Sequence, residues 1–289
     1  DKALAGRASR GILGRYLSYL MYVGEQWVLE SIADIFPKDD ALLRRSAWLA
    51  HLMRDRGPIS DLMIELGFCY SEEISLLPIS RDSDNHNQRQ KRLAEYLVVL
   101  HLWNGCSDDL LKEFWKNASP RLRHHAMWFV GVQTLKDSLG EAGRARAMAY
   151  WENRLSIARE AVDADVFRDE LAAFGTWFGR DRIDDRWLLT QATEMFGAGF
   201  APKNEYLVVQ RLAKVSIQNP EPTIHLLLMM LHNPHVDRWA FYKKDQVRTI
   251  ITAALVAKSN EAVRQAKEVI SVFSSRGETS YLDLLASHH

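Results

Sequence analysis

Val247, Ile250, Ile251, Ala254 and Leu255 recur at i, i+3, i+4, i+7 and i+8, a spacing that sets five apolar side chains on one stripe of an α-helix. Leu207, Val208, Leu212 and Val215 repeat the pattern, with Arg211 inside the stripe and expected to reach water from its edge. Val263, Ala266, Val269, Ile270 and Phe273 repeat it again. Strict apolar/polar alternation, which a half-buried strand requires, is not found. Glycine and proline number 15 and 8 in 289 residues, so they punctuate helices rather than fill the chain. These patterns predict an all-α fold.

The punctuation predicts where helices begin. Ser119 precedes Pro120, an N-cap followed by proline at the first helical position, where its missing N–H costs nothing. Ser107-Asp108-Asp109 and Ser259-Asn260-Glu261 supply side-chain oxygens and negative charge ahead of further apolar stripes. Other breaks fall at Phe36-Pro37, Gly57-Pro58, Ala201-Pro202, Asn219-Pro220 and Asn233-Pro234, leaving about a dozen helices of a few turns each. The strongest shift in composition is the polar run from Arg81 to Arg92, whose first half can bury nothing and whose second half leads into a helix. It divides the chain into an N-terminal helical block, 1–80, a polar loop and helix start, 81–92, and a C-terminal helical-repeat block, 93–289.

Short helices joined by tight turns cannot each bury an apolar face alone, so they must pair and stack. Trp103, Trp128, Trp151 and Trp177 are spaced by 25, 23 and 26 residues, about one helix and its turn. Two such steps match the roughly 40 to 47 residues of a HEAT-like or armadillo-like unit. The expected architecture is an irregular α-solenoid of that kind, read as continuous, with a compact all-α bundle as the alternative.

Equal numbers of basic and acidic residues, 37 each, argue against a dedicated nucleic-acid binder. Cys69 and Cys106 have no metal-ligand or redox spacing and fit buried or idle thiols in a reducing, cytoplasmic compartment. The longer apolar runs, such as Tyr16 to Gly24 and Ala126 to Val132, fall short of the ~18 residues of a membrane span. A chain that opens on Asp1 reads as a domain of a longer protein, and His288 and His289 are not counted as ligands.

Three constellations invite chemistry. His225, His232 and His235 approach ligand spacing without a completing cysteine or carboxylate beyond Asp237, so no metal is expected. Arg44 or Arg45 followed by His51 fits the loose spacing of the helical ribonucleases called HEPN, in which arginine would hold a phosphate and histidine move a proton. The same stretch holds Trp48, Leu49 and Leu52, an ordinary core face. The run from Arg121 to Trp128 mixes basic and aromatic residues as a phosphate-and-stacking surface would, and as a helix start would. No glycine-rich phosphate loop is present, so no nucleotide or other cofactor is expected, and no catalytic residue is assigned.

From Phe174 onward the chain resembles a known family. Phe174-Gly175-Thr176-Trp177-Phe178 and Asp184-Asp185-Arg186-Trp187-Leu188-Leu189 are similar to an aromatic-rich helix junction in the helical C-terminal regions of large bacterial STAND-type ATPases and related anti-phage defence proteins. Leu207 to Ala213, Trp239, Val247 to Ala257, Ala262 to Ala266, and Arg276-Gly277 before Tyr281 to Leu285 continue the resemblance. It implies a HEAT-like scaffold that follows a nucleotide-binding or effector domain, recognises an invader's protein and signals to the rest of its chain. The expected function is a non-enzymatic sensor or scaffold whose partners are a protein, such as a phage protein, other domains of the same chain, or further copies of itself. Exposed aromatics and arginines dominate binding energy at such surfaces, and Trp177, Arg180, Trp187, Trp239, Tyr242, Lys243 and Lys244 are the expected partner-binding residues. The competing expectation is a nucleic-acid-binding or nucleic-acid-processing helical-repeat domain.

Overall fold

A computed structural model places all three apolar stripes on helices and turns them inward. It describes residues 2–54, 57–77, 84–103, 108–134, 136–179, 181–237, 241 and 243–286. The protein is all-α: fifteen α-helices and four short 3-10 helices, with no strand, among the described residues. The chain divides into two compact units, one made of Asp1–Phe129 and Glu141–Arg146, the other of Val130–Gly140 and Ala147–His289.

The first unit contains α1 (Lys2–Arg15), α2 (Leu17–Ile35), α3 (Ala41–Arg54), α4 (Met63–Ser75), α5 (Asp84–Leu102), α6 (Asp108–Asn117) and the start of α7 (Pro120–Thr134). Helix α1 lies directly on α3, so close that a Cβ on Gly14 would stand 2.1 Å from the Ala47 carbonyl oxygen. Helix α5 packs on α3 and α6, and Arg89 on it forms a buried ion pair with Glu73 of α4 at 2.8 Å. The polar run expected to separate an N-terminal from a C-terminal block therefore lies inside one unit. Helix α5 already begins at Asp84, because the apolar positions Leu93, Ala94, Leu97, Val98 and Leu100 further along it are buried and carry the polar start with them. Residues 81–83 lie outside the described residues.

The second unit receives the end of α7 and most of α8 (Gly140–Glu160), followed by α9 (Arg168–Ala172), a 3-10 helix over Ala173–Gly179, α10 (Asp185–Gly197), α11 (Glu205–Val215), α12 (Pro220–His232), α13 (Lys244–Leu255), α14 (Asn260–Ser275) and the short α15 (Asp283–Ala286). Helix α12 packs on α10 and on α14, while α11 packs on the 173–179 segment and on α13. Helices α11 to α14 thus each meet a second neighbour as well as a first. With neighbours on several sides, α12 buries Ile224, Leu226, Leu227, Leu228, Met230 and Leu231, each stabilising by about 2 kcal/mol over an exposed position.

The local signals act as their chemistry dictates. Ser259 accepts a hydrogen bond from the Ala262 N–H at 3.2 Å and Ser119 one from the Leu122 N–H at 3.3 Å, so both cap helix starts. Pro220 stands at the start of α12. At the end of α14, Gly277 takes φ +87° and lets the Glu278 N–H reach the Phe273 oxygen and its own N–H the Ser274 oxygen, both at 3.0 Å. Gly199 closes α10 in the same way.

Trp151 and Phe174 stack at 3.9 Å between ring centroids, with Trp177 at 6.0 and 5.5 Å from them, in the core of the second unit. The even tryptophan spacing does not mark one structural position: Trp151 and Trp177 are fully buried, whereas Trp103 and Trp128 remain 42% and 37% exposed.

Candidate interaction surfaces

Four of the seven expected partner-binding residues are described, and the structure does not assemble them into one site. Trp177 is fully buried beneath Gly131, where a Cβ would come within 2.6 Å of its ring, so it is a core residue and cannot touch a partner. Trp187 is half-buried. Its ring stacks 5.8 Å from Trp177, and its indole N–H donates to Glu152 Oε1 at 2.6 Å. Lys243 and Lys244 are exposed at the start of α13, and Lys244 is paired with Glu278 at 2.5 Å. That pairing, with help from Ser280, pulls the Glu278 carboxyl down to about 2. Arg180, Trp239 and Tyr242 lie outside the described residues.

One depression of the second unit follows one helix face. Arg186, Leu189, Thr190 and Thr193 recur at i, i+3, i+4 and i+7 along α10, and Asn219, Pro222 and His225 from the start of α12 line the same groove of about 530 Å³. Its polar groups are partly engaged. Glu221 accepts from Ser259 Oγ at 2.5 Å, and Thr193 Oγ1 donates to the Leu189 oxygen at 2.8 Å. Gln265 lies 3.1 Å from His225 Nδ1 and donates to Glu261 at 2.8 Å. Thr190 and Arg186 face solvent on the wall. Apolar carbon between a few hydrogen-bonding groups suits a segment of another chain.

A second depression, of about 540 Å³, is lined by Phe178, Asp181, Arg182, Gln210, Arg211 and Lys214. Its charges are turned on each other. Arg211 pairs with Asp181 and with Asp185, the latter at 2.6 Å, and Lys214 also holds Asp181. Arg211 does not reach water as the stripe around it suggested, because these carboxylates neutralise it while it is 6% exposed. Burial lowers the pKa of Arg211 and raises that of Asp185, the latter helped by Asp184.

The ribonuclease-like spacing fails at His51, the residue shared by either choice of arginine. Its side chain is fully buried, with the rings of Trp48 and Tyr96 each 5.7 Å away. Arg44 donates to Glu72 at 2.9 and 3.2 Å and to the carbonyls of Pro37 and Lys38 at 2.8 and 2.9 Å. Both residues hold the first unit together. In the basic-aromatic run, Leu122 and Met127 are core, and His125 sits 3.0 Å from Glu95 and 5.5 Å from the ring of Trp128. Burial pushes the Glu95 carboxyl up, but the His125 hydrogen bond and the Arg92 charge outweigh it, and the net shift is downward. Among the described residues no group of His, Cys, Asp and Glu could hold a metal ion. Cys69 is buried, and Cys106 lies outside the described residues.

Sequence reasoning missed an exposed apolar stretch of the first unit. Ile12, Tyr16, Tyr19, Tyr22, Val23 and Trp27, on α1, α2 and the residue between them, are all open to solvent, Tyr22 to 86%. The signal was the run from Tyr16 to Gly24, too short to span a membrane yet too apolar for a solvated helix. No helix among the described residues is long and apolar enough to cross a membrane. No family model, no curated protein and no solved structure matches this chain.

Proposed function

We propose that this chain is a non-enzymatic, HEAT-like helical module of a bacterial multidomain antiviral defence protein, and that it acts in the cytoplasm by binding a segment of another protein along the α10–α12 groove. The observation that carries this reading is the groove itself, where Leu189 and Pro222 supply apolar contact beside Thr190, Asn219 and Arg186. The stacking of α10 to α14 supports it, because stacked helical pairs present extended surfaces of this kind. The resemblance of residues 174–285 to the helical regions of STAND-type defence ATPases supplies the context of an invader's protein as partner.

A photo-crosslinking amino acid placed at Thr190 tests it in cells with and without phage infection. The reading expects an adduct with one protein that forms only on infection and is absent when the same group is placed at the exposed Val162. Crosslinks to nucleic acid at Thr190 would favour the competing nucleic-acid reading, and equal adducts from both positions would remove the groove from consideration.

A further inference from the structure

The hydrogen-bonding groups that line the α10–α12 groove are not all spent. Gln265, only 6% exposed, reaches the groove from α14 and donates to Glu261 Oε1 at 2.8 Å, while its own Oε1 meets no donor among the described residues. The amide cannot be turned over, because its oxygen would then face the Glu261 carboxylate. The same Nε2 stands 3.1 Å from His225 Nδ1 and has only hydrogens to offer, so Nδ1 accepts and the ring proton sits on Nε2. His225 therefore adds a donor to the groove wall.

Asn219 supplies a second acceptor. It is the N-cap of α12, where a side-chain oxygen ordinarily takes the N–H of the second or third helical residue, yet it makes no capping bond. Pro222 stands at the third position and has no N–H to give. Asn219 Nδ2 is turned to the Val215 oxygen at 3.4 Å, which leaves Oδ1 unbonded among the described residues. Across the groove, Thr190 and Arg186 are exposed and offer donors. The walls thus set two carboxamide acceptors and several donors around the apolar carbon of Leu189 and Pro222.

An extended main chain fits this pattern and a helix does not. Each residue of an extended segment keeps an N–H and a C=O free to reach outward, whereas a helix interior has already spent both. The groove, at about 530 Å³, is also no larger than roughly one turn of an α-helix with its side chains. The carboxylates of Glu194 and Glu221 on its walls oppose a nucleic-acid backbone. We propose that the groove holds an extended protein segment by its main chain, with Gln265 Oε1 and Asn219 Oδ1 accepting from its N–H groups and His225 Nε2 donating to one of its carbonyl oxygens. Leu189 and Pro222 then take its apolar side chains. This rests on the reading of the groove as a protein-binding surface, and adds that what is recognised there is the peptide unit itself.

The probes that test it are N-acetylglycine N-methylamide, which carries peptide N–H and C=O groups, and N-acetylsarcosine N,N-dimethylamide, which keeps the carbonyls and lacks every N–H. Titrated into isotopically labelled protein and followed by NMR, the first is expected to shift the side-chain amides of Gln265 and Asn219 and the His225 ring saturably. The second is expected to bind about tenfold more weakly or worse. Gln265→Met and, separately, Asn219→Ala are each expected to weaken the first probe about fivefold, with circular dichroism unchanged. No saturable shift at these residues, equal binding of the two probes, or an affinity indifferent to both substitutions would overturn the proposal, and the contrast between probes is read on the unaltered protein. Saturable probe binding without an infection-dependent adduct at Thr190 would remove the phage-protein reading and leave main-chain recognition standing. The adduct without probe binding would do the reverse.

Discussion

Arg154 donates two hydrogen bonds to Glu170, at 2.5 and 2.9 Å, and neither side chain has appreciable access to water. The pair joins α8 to α9 in the core of the second unit, and the Arg154 guanidinium lies 5.4 Å from the Phe167 ring. Burial opposes the charge on Arg154, but the bonded Glu170 carboxylate more than reverses that effect, and its pKa is raised. Removing one partner leaves the other charge buried without this ion pair. Glu170→Ala is expected to cost about 3–5 kcal/mol of unfolding free energy, and the joint replacement Arg154→Leu with Glu170→Leu far less. Urea denaturation of both variants checks this, and equal losses would mean that packing rather than charge holds the pair.

Gly175 marks a second intolerant point. A Cβ there would stand 1.6 Å from the Lys203 carbonyl oxygen, on a segment tied back by the Lys203 N–H to the Ala172 oxygen at 2.7 Å. Gly175→Ala is expected to destabilise by about 2 kcal/mol or more, because backbone rather than a flexible side chain must yield. Thermal melting should show the drop, while Gly67→Ala, which meets nothing within 4 Å, should leave the melting temperature unchanged or raised.

The aromatic residues of the junction separate by burial. Trp177→Ala is expected to cost about 3–5 kcal/mol as a fully buried tryptophan, and Trp187→Ala clearly less, because its ring is already open to solvent on one side. Glu152→Ala should remove the acceptor of the Trp187 indole and cost about 1 kcal/mol. Chemical denaturation ranks the three, and a Trp177 variant as stable as the Trp187 variant would contradict its place in the core.

Alkaline pH should weaken the fold. Burial pushes the Cys69 thiol and the Tyr281 hydroxyl up to about 12, from ordinary values of 9.0 and 10.0. The unfolded chain releases these protons first, so stability is complete below about pH 9 and falls as pH rises towards the folded values. Melting temperatures between neutrality and alkaline pH check the slope. In a Cys106→Ser background, Cys69 should resist iodoacetamide at mildly alkaline pH until the protein is unfolded.

What the sequence disclosed was local. The Val247–Leu255 stripe, the serine caps at 119 and 259 and the proline at 220 act through neighbours a few residues away, and each is found where the spacing put it. What it withheld depends on residues far apart in the chain. Arg211 is buried because Asp181 and Asp185, 30 and 26 residues earlier, neutralise it. Trp177 is core because Trp151 and Phe174 enclose it, and no spacing distinguishes it from the half-exposed Trp187. The boundary between units falls elsewhere than the polar run for the same reason, since the polar residues from 84 to 92 belong to a helix held by its later apolar turns. The groove between α10 and α12 is likewise a product of tertiary stacking, and Thr190 and Asn219 carry no local mark of it.

The most direct measurement is affinity capture from phage-infected and uninfected bacterial lysates with two baits, the unaltered chain and Thr190→Trp, which fills the groove from an exposed position without touching the core. The account predicts one phage protein enriched on the unaltered chain after infection and lost from the Thr190→Trp bait. The same protein held equally by both baits, or salt-labile nucleic acid in its place, would contradict it.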